Sequence, residues 1–164
     1  MTTDAVAQRA EVSKTSIYRR WHTKSDLVVA AIEEVIRPVT IPDLGSFAAE
    51  VRYLLDIRMQ QWADPSNALV LQAFIGAAAS DEVIRRSFES WTATQRNGAR
   101  AMVERGIARG DVAAGWKPEN VVTMLAAPTM FRAIIEEAPP DQSLVDDIAA
   151  VIVSAVSRPP QALS

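Results

Sequence analysis

The sequence predicts an all-α protein, and three observations carry that expectation. Apolar residues recur at three- and four-residue intervals along most of the chain, while strand-type alternation is absent,. Asp-Pro, Pro-Pro-Asp and Arg-Gly steps divide the apolar stretches into helix-length pieces,. The composition is 49% hydrophobic and rich in alanine, which suits closely packed helices. A chain of 164 residues is long enough for one body and a small head,. It contains no low-complexity tract and no internal repeat.

The first element expected is a helix opening near Thr3. Thr3 can cap it, and Asp4 suits the positive end of its dipole,. Val6, Ala7 and Ala10 share one face and are small enough to let another helix cross closely,. Glu11, Val12 and Ser13 form a turn, with Val12 plugging the corner and Ser13 as the next N-cap,. In the short helix that follows, Ile17 and Trp21 lie four apart and point inward. Lys14, Thr15, Ser16, Tyr18, Arg19 and Arg20 are left on the outside. A helix, a tight turn and a second helix with a polar, cationic first turn is the arrangement that fits a DNA major groove.

A third helix is expected from Thr23 as N-cap to about Arg37, where Pro38 stops it, with Lys24 at its opening and Leu27, Ala31 and Val35 on one side. Val39-Thr40-Ile41-Pro42 is a connector. Asp43 is expected to cap a helix from Leu44 to Trp62, with Leu44, Phe47, Val51, Leu54, Arg58 and Trp62 along its stripe. Asp64-Pro65 opens the next helix, which is apolar almost all round from Leu69 to Ala79 and is therefore expected to be central,. Asp81 begins a long helix that ends at Arg109-Gly110, striped by Ile84, Phe88, Trp91, Gln95, Gly98 and Met102,. Pro118 opens another helix, bent at Pro128, and Pro139-Pro140-Asp141 separates it from a last one near Ser143–Ser157,. The expected organisation is a head and linking helix over 1–37 and a helical body over 43–158.

The run Thr2/Thr3, Val6-Ala7, Ala10, Val12-Ser13, Ile17-Tyr18, Trp21 and Lys24 resembles the DNA-binding domain of the TetR (tetracycline-repressor-like) family of transcriptional regulators. The stretch from Ala108 to Ile134 is similar, more loosely, to that family's C-terminal part. The resemblance implies a helix-turn-helix head on a ligand-binding and dimerization bundle, and a ligand-responsive repressor that reads a palindromic operator as a homodimer. It implies that Lys14, Thr15 and Ser16 meet bases or phosphates and that Tyr18, Arg20 and Lys24 grip the backbone; Thr3 and Arg19 complete the expected DNA face. Two departures stand out. Glu11 occupies the position of the family's turn glycine, and the chain begins at Met1 directly at the helix-turn-helix. The family's preceding helix is thus expected either upstream of Met1 or to be missing, which would loosen the head.

Charge distribution fits that reading. The net charge is −3, yet the stretch from Arg9 to Lys24 carries five basic residues and one acid. A basic head on an acidic body orients the approach to phosphate.

The last two helices carry more apolar surface than one core needs. Leu144/Ile148/Val151/Ala155 and Val145/Ala149/Ile152/Val156 form two stripes, and Val121, Val122, Leu125, Ala126, Met130 and Phe131 add to them. A homodimer through these helices is expected. Two recognition helices would then read half-sites whose centres lie about 34–36 Å apart or a multiple of that. Candidate ligand-lining residues are Met59, Trp62, Phe74, Trp91, Gln95, Met102, Met124 and Phe131. Gln95 is the most pointed of them, because an amide on an apolar stripe needs a partner. The effector is expected to be a small, apolar molecule.

Catalysis is not expected. The only histidine, His22, follows Trp21 in a turn, and there is no cysteine for thiol or zinc chemistry,. Glu33-Glu34, Glu136-Glu137 and Asp146-Asp147 are adjacent pairs that diverge on a helix. No cofactor or metal is implied. No signal peptide opens the chain, and the longest apolar run, Ala68 to Ala79, is interrupted by Gln72 and too short to span a bilayer,. A cytoplasmic protein without a membrane partner is expected. The competing reading is a helical small-molecule-binding or dimerization protein whose DNA binding is impaired for want of a first helix.

Overall fold

The computed structural model describes residues 13–35 and 39–161, with the backbone alone at Lys14, Lys24, Ala31, Glu34 and Val35. The expected first helix, with Thr3, Asp4, Val6, Ala7 and Ala10, lies outside the described residues, as do Glu11, Val12 and the stop at Arg37-Pro38. The described residues form seven helices and no strand: α1 (Lys14–Arg20), α2 (Lys24–Val35), α3 (Phe47–Trp62), α4 (Pro65–Ala78), α5 (Glu82–Arg109), α6 (Pro118–Ile134) and α7 (Gln142–Val156). None of them is long and apolar enough to cross a membrane.

The helices begin and end on local chemistry. Asp64 takes the Ser66 amide and Pro65 occupies the first turn of α4,. Asp81 accepts the amides of Val83 and Ile84 to open α5, and Gly110, at φ +84°, ends it,. Asp141 caps α7 through the Leu144 amide.

The start of α3 corrects the expectation. Asp43 does not cap that helix. Its Oδ1 takes the Gly45 amide at 2.9 Å in a tight turn,. Ser46 is the cap, accepting from Ala49 N, and the helix starts at Phe47 rather than Leu44, which is exposed. A serine in extended conformation directly before the apolar stripe outcompetes an aspartate already engaged two residues on.

By backbone proximity the chain divides into two units. One holds residues 13–35 with Val70–Ser90; the other holds 39–69 with 91–161. In the first, Phe74 meets Phe88 edge to face at 5.1 Å,. The second is built on α3, α6 and α7, which pack against one another. Its core joins Phe47, Val51, Leu54 and Leu55 of α3 to Met102 and Val103 of α5, Val121 and Leu125 of α6, and Val145, Ile148, Ile152 and Val156 of α7. Gly98 lets the 39–42 connector cross α5, because a Cβ there would stand 2.8 Å from the Val39 carbonyl oxygen. The end of α7 is tied down by Ala113 N–H to Val156 O at 2.8 Å and by the Trp116 indole to Arg158 O at 2.7 Å. Arg52 of α3 pairs with Asp146 of α7.

Two burial expectations change. α4 is not enclosed on all sides: Ala68, Leu71, Phe74 and Ala78 form one buried stripe, while Leu69 and Ile75 are exposed. Apolar composition sets how much surface could be buried, and only the neighbouring helices decide which side is. On α6, Val121, Val122 and Leu125 belong to the chain's own core. The outward apolar row is Met124, Ala127, Phe131 and Ile135, at intervals of three and four residues. On α7 Ile148 likewise sides with Val145, Ile152 and Val156, leaving Val151 and Ala155 outside.

Candidate functional site

The head is built from Ser13 onward. Its Oγ accepts the Ser16 amide at 3.1 Å and lies 2.9 Å from Ser16 Oγ, so the chain turns into α1 on a side-chain cap. Ile17 is the buried anchor of this helix. Thr15, Ser16, Tyr18, Arg19 and Arg20 are all exposed, Tyr18 by 46%. Trp21 departs from the expectation of an inward residue. It stands just past the helix in extended conformation, half-buried, with the Arg20 guanidinium 5.0 Å from its ring centre,. One residue beyond the last helical turn, its side chain no longer follows the spacing that placed Ile17. His22 is exposed.

Thr23 and Asp26 then cap α2 reciprocally, Asp26 N–H to Thr23 Oγ1 at 3.1 Å and Thr23 N–H to Asp26 Oδ2 at 2.9 Å,. Lys14 and Lys24 open α1 and α2; Thr3 lies outside the described residues. Sequence reasoning missed a link within this unit. Ser25 Oγ donates to Asp81 Oδ2 at 2.6 Å, while Asp81 Oδ1 caps α5. One carboxylate thus holds both the start of α2 and the start of the long helix. Asp81 was legible as a cap; its second partner, 56 positions away, was not.

The ligand candidates separate in the structure. Trp62 is buried, and its indole N–H has no hydrogen-bond partner. Gln95, expected to need a partner, accepts from Arg58 Nη2 at 2.9 Å. Arg58 Nη1 donates to Gln61 Oε1 at 2.7 Å. Arg58 and Trp62 are one helical turn apart on α3, so a half-buried cation, an amide and a buried indole share one region,. Burial pushes the Arg58 guanidinium down to about 10. Met59 is half-buried against the core and Met102 is wholly inside it. Trp91 is half-buried. Phe74 is buried in the first unit, against Phe88. Met124 and Phe131 are exposed on the outer face of α6.

A second feature escaped the sequence. Glu50 is 0% exposed on the core side of α3. It accepts from Arg105 Nη2 and Arg109 Nη2, each at 3.0 Å, and from Leu44 N–H at 3.3 Å. Arg105 also reaches Ile41 O at 3.1 Å, and Arg109 reaches Asp43 at 2.9 Å and Asp111 at 3.1 Å. The Phe47 amide and Arg109 hold the Asp111 carboxyl below its usual range. The Gly45 amide, and then the charge of Arg109, do the same for Asp43. This network fastens the 41–45 connector to α3 and α5. A glutamate among Phe47, Val51, Leu54 and Leu55 was the available signal. Its partners, an i,i+4 arginine pair more than fifty residues on, were not deducible.

Comparison with known proteins places this architecture. Residues 1–31 match the family described as bacterial regulatory proteins, tetR family, and residues 41–152 match the tetracyclin repressor-like C-terminal domain. The chain belongs to the TetR family of transcriptional regulators. Uncharacterized HTH-type transcriptional regulators of Mycobacterium bovis and Mycobacterium tuberculosis are each 29% identical over 156 residues, covering 90% of this chain and 75% of theirs. One from Bacillus subtilis is 23% identical over 150 residues, with the same coverage. A crystal structure of a TetR family transcription regulator shares the fold at a TM-score of 0.70 and 22% identity, covering 93% of this chain and 85% of that one. TetR membership makes α1 the second helix of the helix-turn-helix and makes the polar cluster around Arg58 part of the C-terminal domain.

Proposed function

We propose that this TetR-family regulator is a ligand-responsive repressor that binds an inverted-repeat operator as a homodimer in the cytoplasm. The observation that carries the DNA-binding part is the sidedness of α1. Ile17 is buried, while Thr15, Ser16, Tyr18, Arg19 and Arg20 face solvent together. In this reading Lys14, Thr15 and Ser16 meet base edges and nearby phosphates. Thr3, Tyr18, Arg19, Arg20 and Lys24 position the helix on the backbone. The head is residues 1–37 and the effector and dimer domain is 43–158.

The dimer is supported by the outward row Met124, Ala127 and Phe131 on α6, continued by its C-cap Ile135, and by Val151 on α7, which is 65% exposed. An apolar row of this length on adjacent helices is the usual mark of a partner surface. The effector binds in the body and favours the arrangement in which the two heads no longer match operator spacing. The Ser25–Asp81 hydrogen bond offers a path by which movement at the start of α5 reaches α2. Met59, Trp62, Trp91, Gln95 and Met102 are the body's candidates around the effector.

The test is a mobility-shift titration on the DNA flanking the gene, repeated across salt concentrations. The wild type should lose affinity steeply as salt rises. Arg20→Ala should flatten the log–log slope by about 0.9 per phosphate contact, hence about two per dimer. Binding that is weak, salt-insensitive and unchanged in Arg20→Ala would remove the DNA reading and leave a dimerization or ligand-binding protein.

A further inference from the structure

Arg58 stands apart from the other half-buried arginines of the body. Arg52 pairs with Asp56 and Asp146, Arg105 with Glu50, and Arg132 with Glu136. Arg58 meets only the neutral amide oxygens of Gln61 and Gln95. Among the described residues no carboxylate reaches it. A cation drawn out of water without a counter-charge is costly, and such a group is a candidate for a functional site. The second observation is independent. The Trp62 indole N–H, one helical turn further along α3 in a buried residue, has no acceptor. A buried donor without a partner loses its hydration and gains nothing for it. A cation without a counter-charge and an indole N–H without an acceptor therefore lie one turn apart on the same helix.

We propose that Arg58 and Trp62 form the acid-binding end of the effector site, and that the effector is a monocarboxylate on an apolar body. This rests on the ligand-responsive reading above and names the chemistry of its ligand. The match is one of charge and shape. A carboxylate neutralises one guanidinium, and its two oxygens fit the planar donor edge of arginine. An oxygen can also accept from the indole. A doubly charged phosphate would need a second cation, and the hydrogen-bond partners of Arg58 are two neutral amides. The rest of the ligand meets Met59, next to Arg58, and Trp91, one turn before Gln95 on α5. Gln61 and Gln95 act as positioning residues, holding the guanidinium in place without neutralising it.

The test uses the purified full chain and three matched pairs: octanoate with octanamide, phenylacetate with phenylacetamide, and indole-3-acetate with indole-3-acetamide. Binding is read by thermal shift and calorimetry. At least one acid should bind about ten-fold or more tightly than its amide, the ratio a charge-assisted pair supplies. Arg58→Gln should abolish that preference, lowering the affinity of the acid far more than that of its amide. Trp62→Phe should weaken the acid by about three-fold, as for one neutral hydrogen bond. Arg58→Gln should melt no lower than the wild type, which separates loss of binding from loss of fold. No acid binding below millimolar, or an acid preference that survives Arg58→Gln, overturns the proposal. The operator assay separates it from the reading it rests on. Release of DNA by an uncharged compound, unaltered in Arg58→Gln, overturns the acid site and leaves ligand response standing. Arg58-dependent acid binding that does not disturb the operator complex upholds the site and removes ligand response.

Discussion

Replacing Glu50 with methionine should be among the most damaging single changes in the body. The glutamate is fully buried and accepts from Arg105 and Arg109 at 3.0 Å each and from the Leu44 amide at 3.3 Å. Deleting one member of a buried ion pair typically costs about 3–5 kcal/mol, because the remaining charge is left desolvated. Here the arginine side chains keep 29% and 25% of their exposure. Water can therefore recover part of their solvation, which lowers the expected loss to about 2–4 kcal/mol. For a chain of this size that is a fall in melting temperature of roughly 4–16 °C. Urea denaturation followed by circular dichroism measures the free energy, and calorimetry the midpoint. The sharper arm is the double variant E50M/R105M. Arg109 still has Asp43 and Asp111, so the double variant leaves no unpaired cation and should be more stable than E50M alone. A loss below about 1 kcal/mol for E50M, or a double variant weaker than the single one, would refute the reasoning.

Acid should weaken the same region. The carboxyl of Asp111 is held low by the Phe47 amide and by Arg109, so its contribution is complete above the ordinary aspartate range near pH 4 and is lost as pH falls through the lowered folded value,. D111N should therefore flatten the dependence of stability on pH below about 4, measured by urea titrations at stepped pH. F131E or V151E, each on the exposed face of the last two helices, should convert the proposed dimer to monomer in sedimentation velocity and weaken operator binding without lowering the melting temperature of the monomer; an unchanged sedimentation coefficient would count against that interface. S25A removes the hydrogen bond that joins α2 to the cap of α5. It should leave effector affinity unchanged while reducing the drop in operator affinity that effector causes, and equal drops in the two proteins would discard the proposed path.

Capping chemistry and apolar spacing were readable along the chain because both depend on neighbours within one or two turns. Ser13, Thr23, Asp64, Asp81 and Pro118 opened helices as expected, while Asp141, read only as part of a separating turn, is the N-cap of the last one. Ile17 was the buried side of α1 as its spacing required. The misplacement at Asp43 came from two capping candidates three residues apart, whose competition depends on where Gly45 turns the chain.

The family and the polar face of α1 therefore lay in the order of residues, since a buried anchor and the exposed residues around it are set within two helical turns. Which side of α4 is covered, which row of α6 faces out, and which residue of α5 reaches Arg58 were decided by helices distant in sequence. Burial and charge pairing depend on what arrives across the core, and local periodicity carries no information about that. Glu50 shows the division most clearly: its place on an apolar stripe is local, and its neutralisation by Arg105 and Arg109 exists only once α5 has packed against α3.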